Sequence, residues 1–339
     1  MRPALHRPTH AGLPKLGIPW DALMPSRDLA SVPEGSLWEV IAMSDPDVET
    51  RDPGGGGHRA REQLLDATLL TERQVMLAGI STAVLVGGDG PPIVLLHGPG
   101  EFAFTWLRVI PELVKTARVI VPDLPGHGAS LLGEAPLDAD RVLSWLGELI
   151  EQTCASPAYL VGHLLGGAIG TRFTIAHSEK LRGLVLVDTF GLCRLRPSPL
   201  FTLTMINFLA RPTAGSRDRF FRQCFVDMNR LQDQLGPLWQ PLMTYALERA
   251  NSADQKAALR SLMPEFGWRA IPEKELAKIS APTTLIWGRH DRQTRLAVAQ
   301  QASLRYAWPL HIIEDAADDP AFEQPEAVLG AFSVARTLG

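Results

Sequence analysis

The sequence predicts an α/β protein in which a mostly parallel sheet is covered by helices on both faces. Two patterns carry this reading. From about Arg73 onward, short β-branched apolar runs alternate with amphipathic stretches, and one long block of purely helical spacing, from Thr189 to about Ala281, lies between two such runs. A strand buried on both faces has no solvated side to alternate with, so continuous apolar runs between helices read as parallel strands.

In chain order, the runs VMLAGISTAVLVGG and PPIVLLHG are separated by Gly88-Asp89-Gly90 and read as a hairpin turning there. A helix is expected around Trp106 to Lys115, then the run ARVIVPDLPG, a helix from about Ala139 to Cys154, the run AYLVGH, a helix from Gly167 to His177 and the run LRGLVLVD. The helical block PLFTLTMINFLAR, SRDRFFRQCFVDMNRLQDQL, PLWQPLMTYALERAN and DQKAALRSLM comes next, and the runs PTTLIWG and PLHIIED close the pattern. Helices inserted between two strands of one sheet read as a cap, whose apolar residues, Phe201, Met205, Phe220 and Trp239 among them, either fill helix core or line a pocket. The expected organisation is an N-terminal extension and linker over 1–65, a core over 66–190 and 276–339, and a cap over 191–275. The extension is rich in Pro, Gly and Arg, with one apolar patch from Leu37 to Met43.

Composition removes several classes of function. A formal charge of -4 offers no general field for attracting nucleic acid or an anionic membrane. Cys154, Cys193 and Cys224 are too few and too scattered for a disulfide framework or a zinc cluster, which points to a reducing compartment. No signal-peptide-like apolar run and no stretch of membrane-spanning length occur, so a soluble, cytoplasmic protein without a membrane span or nucleic-acid partner is expected.

Five segments, LLHGPGEFAFTW, VIVPDLPGHGAS, LVGHLLGG, LIWGRHD and DDPAFEQPEAV, follow one another in an order and spacing that resembles the α/β-hydrolase superfamily, in its branch with a helical cap between the sixth and seventh strands. The resemblance covers roughly residues 70 to 338 and implies an eight-stranded α/β-hydrolase fold. It places His97 and Gly98 after the third strand, with Pro99, Gly100 and Glu101 in the loop that contributes to the oxyanion hole. That role would fall near Pro99, which has no N–H, or to Gly100. Gly162-His163-Leu164-Leu165-Gly166-Gly167 matches the nucleophile elbow G-x-S-x-G, with leucine where the family carries serine. Asp291 stands where the family's acid would be, and Asp318 where its histidine would be.

A hydrocarbon at 164 has no lone pair with which to attack, and an acid at 318 is not the usual general base. The expected catalytic set is therefore Asp291, Asp318 and His163, with His97, Gly98, Pro99, Gly100, Glu101, Leu164 and Leu165 expected at the substrate. If Asp291 and Asp318 face each other, repulsion and desolvation raise at least one pKa and give a proton-sharing pair; the plainer reading is a charged, solvated loop. His163 next to the elbow also fits a structural role, His290 a loop-orienting one, Arg289 and Arg292 read as solvated, and Cys193 as packing. No local ligand spacing such as H-E-x-x-H appears, so no metal is expected, and HGPGEF lacks the lysine and hydroxyl of a phosphate loop, so no cofactor is expected. The leading expectation is a non-hydrolytic protein that binds a small apolar molecule or a protein partner in a remnant capped pocket. Two alternatives remain: a cofactor-independent lyase, isomerase or cyclase using Asp291 and Asp318 or a pocket histidine, and a hydrolase with an atypical nucleophile.

Overall fold

A computed structural model describes residues 56–338. Eight strands form one sheet: β1 (Thr71–Leu77), β2 (Ile80–Gly87), β3 (Pro92–Leu96), β4 (Arg118–Pro122), β5 (Ala158–His163), β6 (Leu181–Val187), β7 (Thr283–Gly288) and β8 (Leu310–Ile313). Their spatial order is β1-β2-β4-β3-β5-β6-β7-β8. The pairs β1·β2 and β2·β4 are antiparallel, and all others are parallel. This is the α/β-hydrolase arrangement the motifs imply.

Within each central strand, alternate residues enter opposite cores. Ile93, Leu95, Val119, Val121, Val161 and Val185 pack on one face, and Val94, Leu96, Ile120, Leu160, Leu184 and Trp287 on the other. Both faces are dry, which is why these strands read as unbroken apolar runs.

The helices are α1 (Gly56–Asp66), α2 (Ala139–Thr153), α3 (Leu164–His177), α4 (Pro199–Ala210), α5 (Ala214–Cys224), α6 (Met228–Leu235), α7 (Trp239–Asn251), α8 (Ala253–Leu262), α9 (Leu296–Tyr306) and α10 (Pro325–Leu338), with shorter turns between them. Helices α4 to α8 lie between β6 and β7. Among the described residues no helix is long and apolar enough to cross a membrane.

Three expectations change. The hairpin does not turn at Gly88–Gly90. It turns inside the first run, at Ala78 and Gly79, which both have positive φ (46° and 72°), and β2 then pairs with β4, not β3. A two-residue turn with both centres left-handed matches the twist of the flanking strands, and an alanine in it gives no sequence signal. The helix expected from Trp106 to Lys115 is instead two short turns, Ala103–Trp106 and Ile110–Leu113. Finally, residues 56–65, read as linker, belong to α1, which buries Ala60 and Leu64. Its Arg61 pairs with Glu72, lies 3.6 Å from Asp123 and stacks over Phe104 and, on α7, Tyr245. The Leu37–Met43 patch and the rest of 1–55 lie outside the described residues.

Candidate active site at the carboxyl ends of the strands

β5 ends at His163 and α3 begins at once, with Leu164 in the left-handed region (φ 44°). A branched, bulky residue there costs about 1–3 kcal/mol and persists only where its surroundings impose it. Close packing imposes it: a Cβ on Gly166 would lie 2.5 Å from the Leu96 carbonyl oxygen, and one on Gly162 2.5 Å from the Gly167 Cα. The turn is a nucleophile elbow in backbone geometry. Its central side chain is a leucine, 3% exposed, that belongs to the buried core on this face of the sheet.

The register of β6, β7 and β8 aligns Val187 with Ile286 and Gly288 with Ile313, so the loops leaving these strands converge. Each delivers a buried carboxyl: Asp188, Asp291 and Asp318, at 0%, 7% and 4% exposure. Asp188, also left-handed (φ 44°), accepts the Gly288 N–H at 3.0 Å. Asp291 accepts the N–H groups of Gln293 and Thr294 at 2.6 and 2.8 Å and the Thr294 hydroxyl. Asp318 receives a long contact, 3.5 Å, from the Gln293 amide. Asp188 Oδ2 and Asp318 Oδ1 accept no N–H or O–H among the described residues.

Burial, and then the charge of Asp291, push the carboxyls of Asp188 and Asp318 well above the usual range. Burial raises Asp291 itself to about 6, with its three donors pulling the other way. Asp188 and Asp291 also touch side chain to side chain, a contact that is a hydrogen bond only when one of them is protonated. Three acids buried together cannot ionise independently, so the cluster titrates as a unit, each ionisation making the next harder.

Beside the trio, His163 donates from Nδ1 to Glu101 (3.1 Å) and from Nε2 to the Asp318 carbonyl (2.5 Å). Burial disfavours its charged form, but the Glu101 carboxylate outweighs burial and holds the imidazolium to about pH 10. Glu101, a fifth of its side chain exposed, is in turn kept ionised by His163 against the pull of burial. His163 therefore fixes the backbone of the β8 loop and has no proton left to donate elsewhere.

The other expected residues separate clearly. His97 is fully buried and neutral; its Nδ1 donates to the Gly98 carbonyl (2.8 Å) and its Nε2 accepts the Leu124 N–H (2.9 Å), so neither nitrogen can meet a ligand. The Gly98 N–H is occupied by Glu101 at 2.6 Å, and Pro99 has none. Gly100 is left-handed (φ 75°) and its carbonyl accepts from Gln255 of the cap. The Leu165 side chain is in the core, which leaves only its backbone N–H, in the first turn of α3 where no intrahelical acceptor exists, facing the elbow. Asp291 and Asp318 are buried and interact, so they are not the solvated loop of the plainer reading. Arg292 is not simply solvated either: its Nη1 donates to the Gln223 carbonyl at 2.7 Å. Among the described residues no group of three or more His, Cys, Asp or Glu is placed to hold a metal.

Two residues were missed. Asp188 closes the run LRGLVLVD, and an acid directly after a buried parallel strand was the available signal. Cys224, at the end of α5, accepts the Asp318 N–H on its carbonyl at 3.2 Å, and burial and then Asp318 raise its thiol pKa. No local pattern announces that contact.

Residues 93–331 match the α/β hydrolase family. The chain belongs to that family. Among α/β hydrolases of known name it is 39% identical to a 2-hydroxymuconate semialdehyde hydrolase of Pseudomonas sp., over 67% of this chain and 81% of that one. It is 28% identical to a pimeloyl-[acyl-carrier protein] methyl ester esterase of Aeromonas hydrophila, over 73% and 96%. The solved 2-hydroxy-6-oxo-6-phenylhexa-2,4-dienoate hydrolase of Rhodococcus sp. shares the fold, with a TM-score of 0.67 at 21% identity over 80% of this chain and 99% of that one. These relatives are named as hydrolases, which overturns the leading expectation of a non-hydrolytic binding protein. That expectation equated loss of a side-chain nucleophile with loss of hydrolysis, although water itself can attack.

Proposed function

We propose that this protein is a hydrolase in which water, activated by the buried carboxyl cluster, attacks a substrate carbonyl directly, without an acyl-enzyme. The observation that carries the reading is the trio Asp188, Asp291 and Asp318: burying three acids side by side costs stability, and the loop hydrogen bonds that Asp188 and Asp291 accept leave Asp318 without a structural bond of comparable quality. Asp291, with three donors on its oxygens, is the member best able to stay ionised and anchors the negative charge. Asp318, whose buried Oδ1 accepts no hydrogen bond, is the proton acceptor once it is ionised.

In this scheme Asp318 takes a proton from water as the water oxygen bonds to the carbonyl carbon, and the carbonyl π electrons move to oxygen. The N-terminal N–H of α3 at Leu165 is the donor available to that oxyanion. When the tetrahedral centre collapses, the bond to the leaving group breaks and Asp318 returns the proton to it, giving a carboxylic acid and an alcohol or a carbon acid. His163, pinned by Glu101, positions Asp318 through its backbone. The substrate class suggested by the relatives is a small carbonyl compound, either an ester or a semialdehyde-type product cleaved beside its carbonyl.

The test is a single-turnover experiment with methyl esters and a ring-cleavage semialdehyde, followed by intact-mass analysis of the quenched protein. Turnover that survives a serine-directed phosphonate, disappears in Asp318→Asn and leaves no mass adduct is expected. A covalent acyl adduct, or turnover indifferent to Asp318, overturns the reading.

A further inference from the structure

On the outside of the cap, α4 differs from every other surface helix there. Its sequence, PLFTLTMINFLA, contains no charged residue. One side is buried through Phe201 and Phe208, which pack on Phe220 and Phe221 of α5. A solvated helix normally turns charge outward. α4 instead exposes Leu200 and Leu203, at 56% and 60%.

The surroundings of this helix are as distinctive as its face. Between Leu192 and Val226 the chain has six arginines and a single acid, Asp218, which is already engaged by Arg217 at 2.7 Å. Arg196 and Arg211 are exposed at the two ends of α4, and Arg219 and Arg222 are exposed one turn apart on α5. In a chain whose formal charge is -4, this positive field is local to the cap.

We propose that the α4 face docks on an anionic lipid surface, the two leucines entering the headgroup boundary while the flanking arginines meet lipid phosphates. An apolar face rimmed by cations is the pattern of an interfacial helix, and guanidinium matches phosphate geometry with paired hydrogen bonds. A second copy of the chain fits less well, because a two-fold contact through this patch would set arginines against arginines. A protein groove fits less well too, because the exposed face offers aliphatic side chains and none of the aromatic anchors that dominate such interfaces.

The experiment is co-sedimentation of the full-length protein with phosphatidylcholine vesicles, with and without phosphatidylglycerol. Binding only to the phosphatidylglycerol vesicles, weakened by salt, is expected. Each arginine removed should weaken partitioning about fivefold, so Arg211→Glu with Arg219→Glu should lower it by more than about tenfold. Leu203→Glu should reduce it at least about tenfold, and the uncharged change Leu200→Gln should act in the same direction at unchanged salt dependence. Absence of wild-type binding at low salt, equal binding to neutral vesicles, or full binding by Leu203→Glu with a native melting profile would each sink the proposal. So would a doubled mass in solution that Leu203→Glu abolishes, which would assign the patch to self-association. None of these readouts involves turnover, so the outcome is independent of the hydrolytic reading.

Discussion

The elbow at the end of β5 and the carboxyl cluster at the ends of β6, β7 and β8 sit side by side and are built on opposite principles. At the elbow the backbone is rigidly prescribed: Gly162 and Gly166 leave no room for a methyl group, and Leu164 is held at positive φ. The side chain at its centre is chemically inert. At the cluster the backbone is constrained as well, since Asp188 shares the positive φ of 44°, but the side chains are also held in an unfavourable state, three acids buried together, two of them with an oxygen that accepts no hydrogen bond. Strain in the first region is a property of the backbone; in the second it lies mainly in the burial of ionisable groups. On the proposed reading, the chain carries the whole frame of a nucleophile and leaves the chemistry to its neighbours.

The sharpest way to break this contrast is Gly166→Ala. A Cβ there meets the backbone oxygens of Leu96 and His97, at 2.5 and 2.7 Å, which cannot yield as a flexible side chain would. Chemical denaturation should show a loss of about 3 kcal/mol or more; a change below about 0.5 kcal/mol would mean the elbow is softer than described.

Asp318→Asn should separate the two regions in the other direction. Turnover should fall about 100-fold or more, while the protein becomes more stable by about 1 kcal/mol at neutral pH, as calorimetry would read. The sign follows from the raised folded-state pKa: a carboxyl that holds its proton more tightly when folded loses stability as pH rises from its unfolded value through its folded one. The amide removes that loss. Lower stability together with intact turnover would return Asp318 to a structural role.

Leu164→Ala is the reciprocal change. It should cost about 2 kcal/mol through the cavity left in the core, yet alter turnover by less than about tenfold, since no bond to residue 164 forms in the reaction.

The smallest effects concern pH. Turnover should rise with pH as Asp318 loses its proton, with an ascending limb above about 6, the value at which Asp291 ionises. His163, raised from 6.5 to about 10, contributes stability that is complete below 6.5 and fades as pH rises through 10. Glu101→Gln should remove that contribution, so unfolding curves of variant and parent diverge at low pH and approach one another above about 10. Solvent reaches Glu101, which makes the difference modest. The His163 ring signals in NMR should titrate within the neutral range only in the variant.

Most of the sheet was legible because its strands are dry on both faces and flanked by helices, and the elbow because glycines at 162, 166 and 167 are demanded by contact. The hairpin was not, because Ala78 occupies a left-handed turn position without the asparagine or glycine that would betray it. Helix α1 was hidden by the glycines that precede it. Asp291 and Asp318 were found through their neighbours in sequence, whereas Asp188 joins them only through the register of β6 with β7. The links from Cys224 to Asp318 and from Arg292 to the cap span about 70 residues or more of chain, and no periodicity encodes them.

Those last links bear on how the cap can move. Arg292, from the loop after β7, grips the carbonyls at the end of α5, and the backbone N–H of Asp318 is tied to the carbonyl of Cys224. This corner of the cap is bolted to the same two loops that carry the acids. Lifting this corner of the cap would displace Asp318 and the β7 loop with it, so cap and acids move as one piece here.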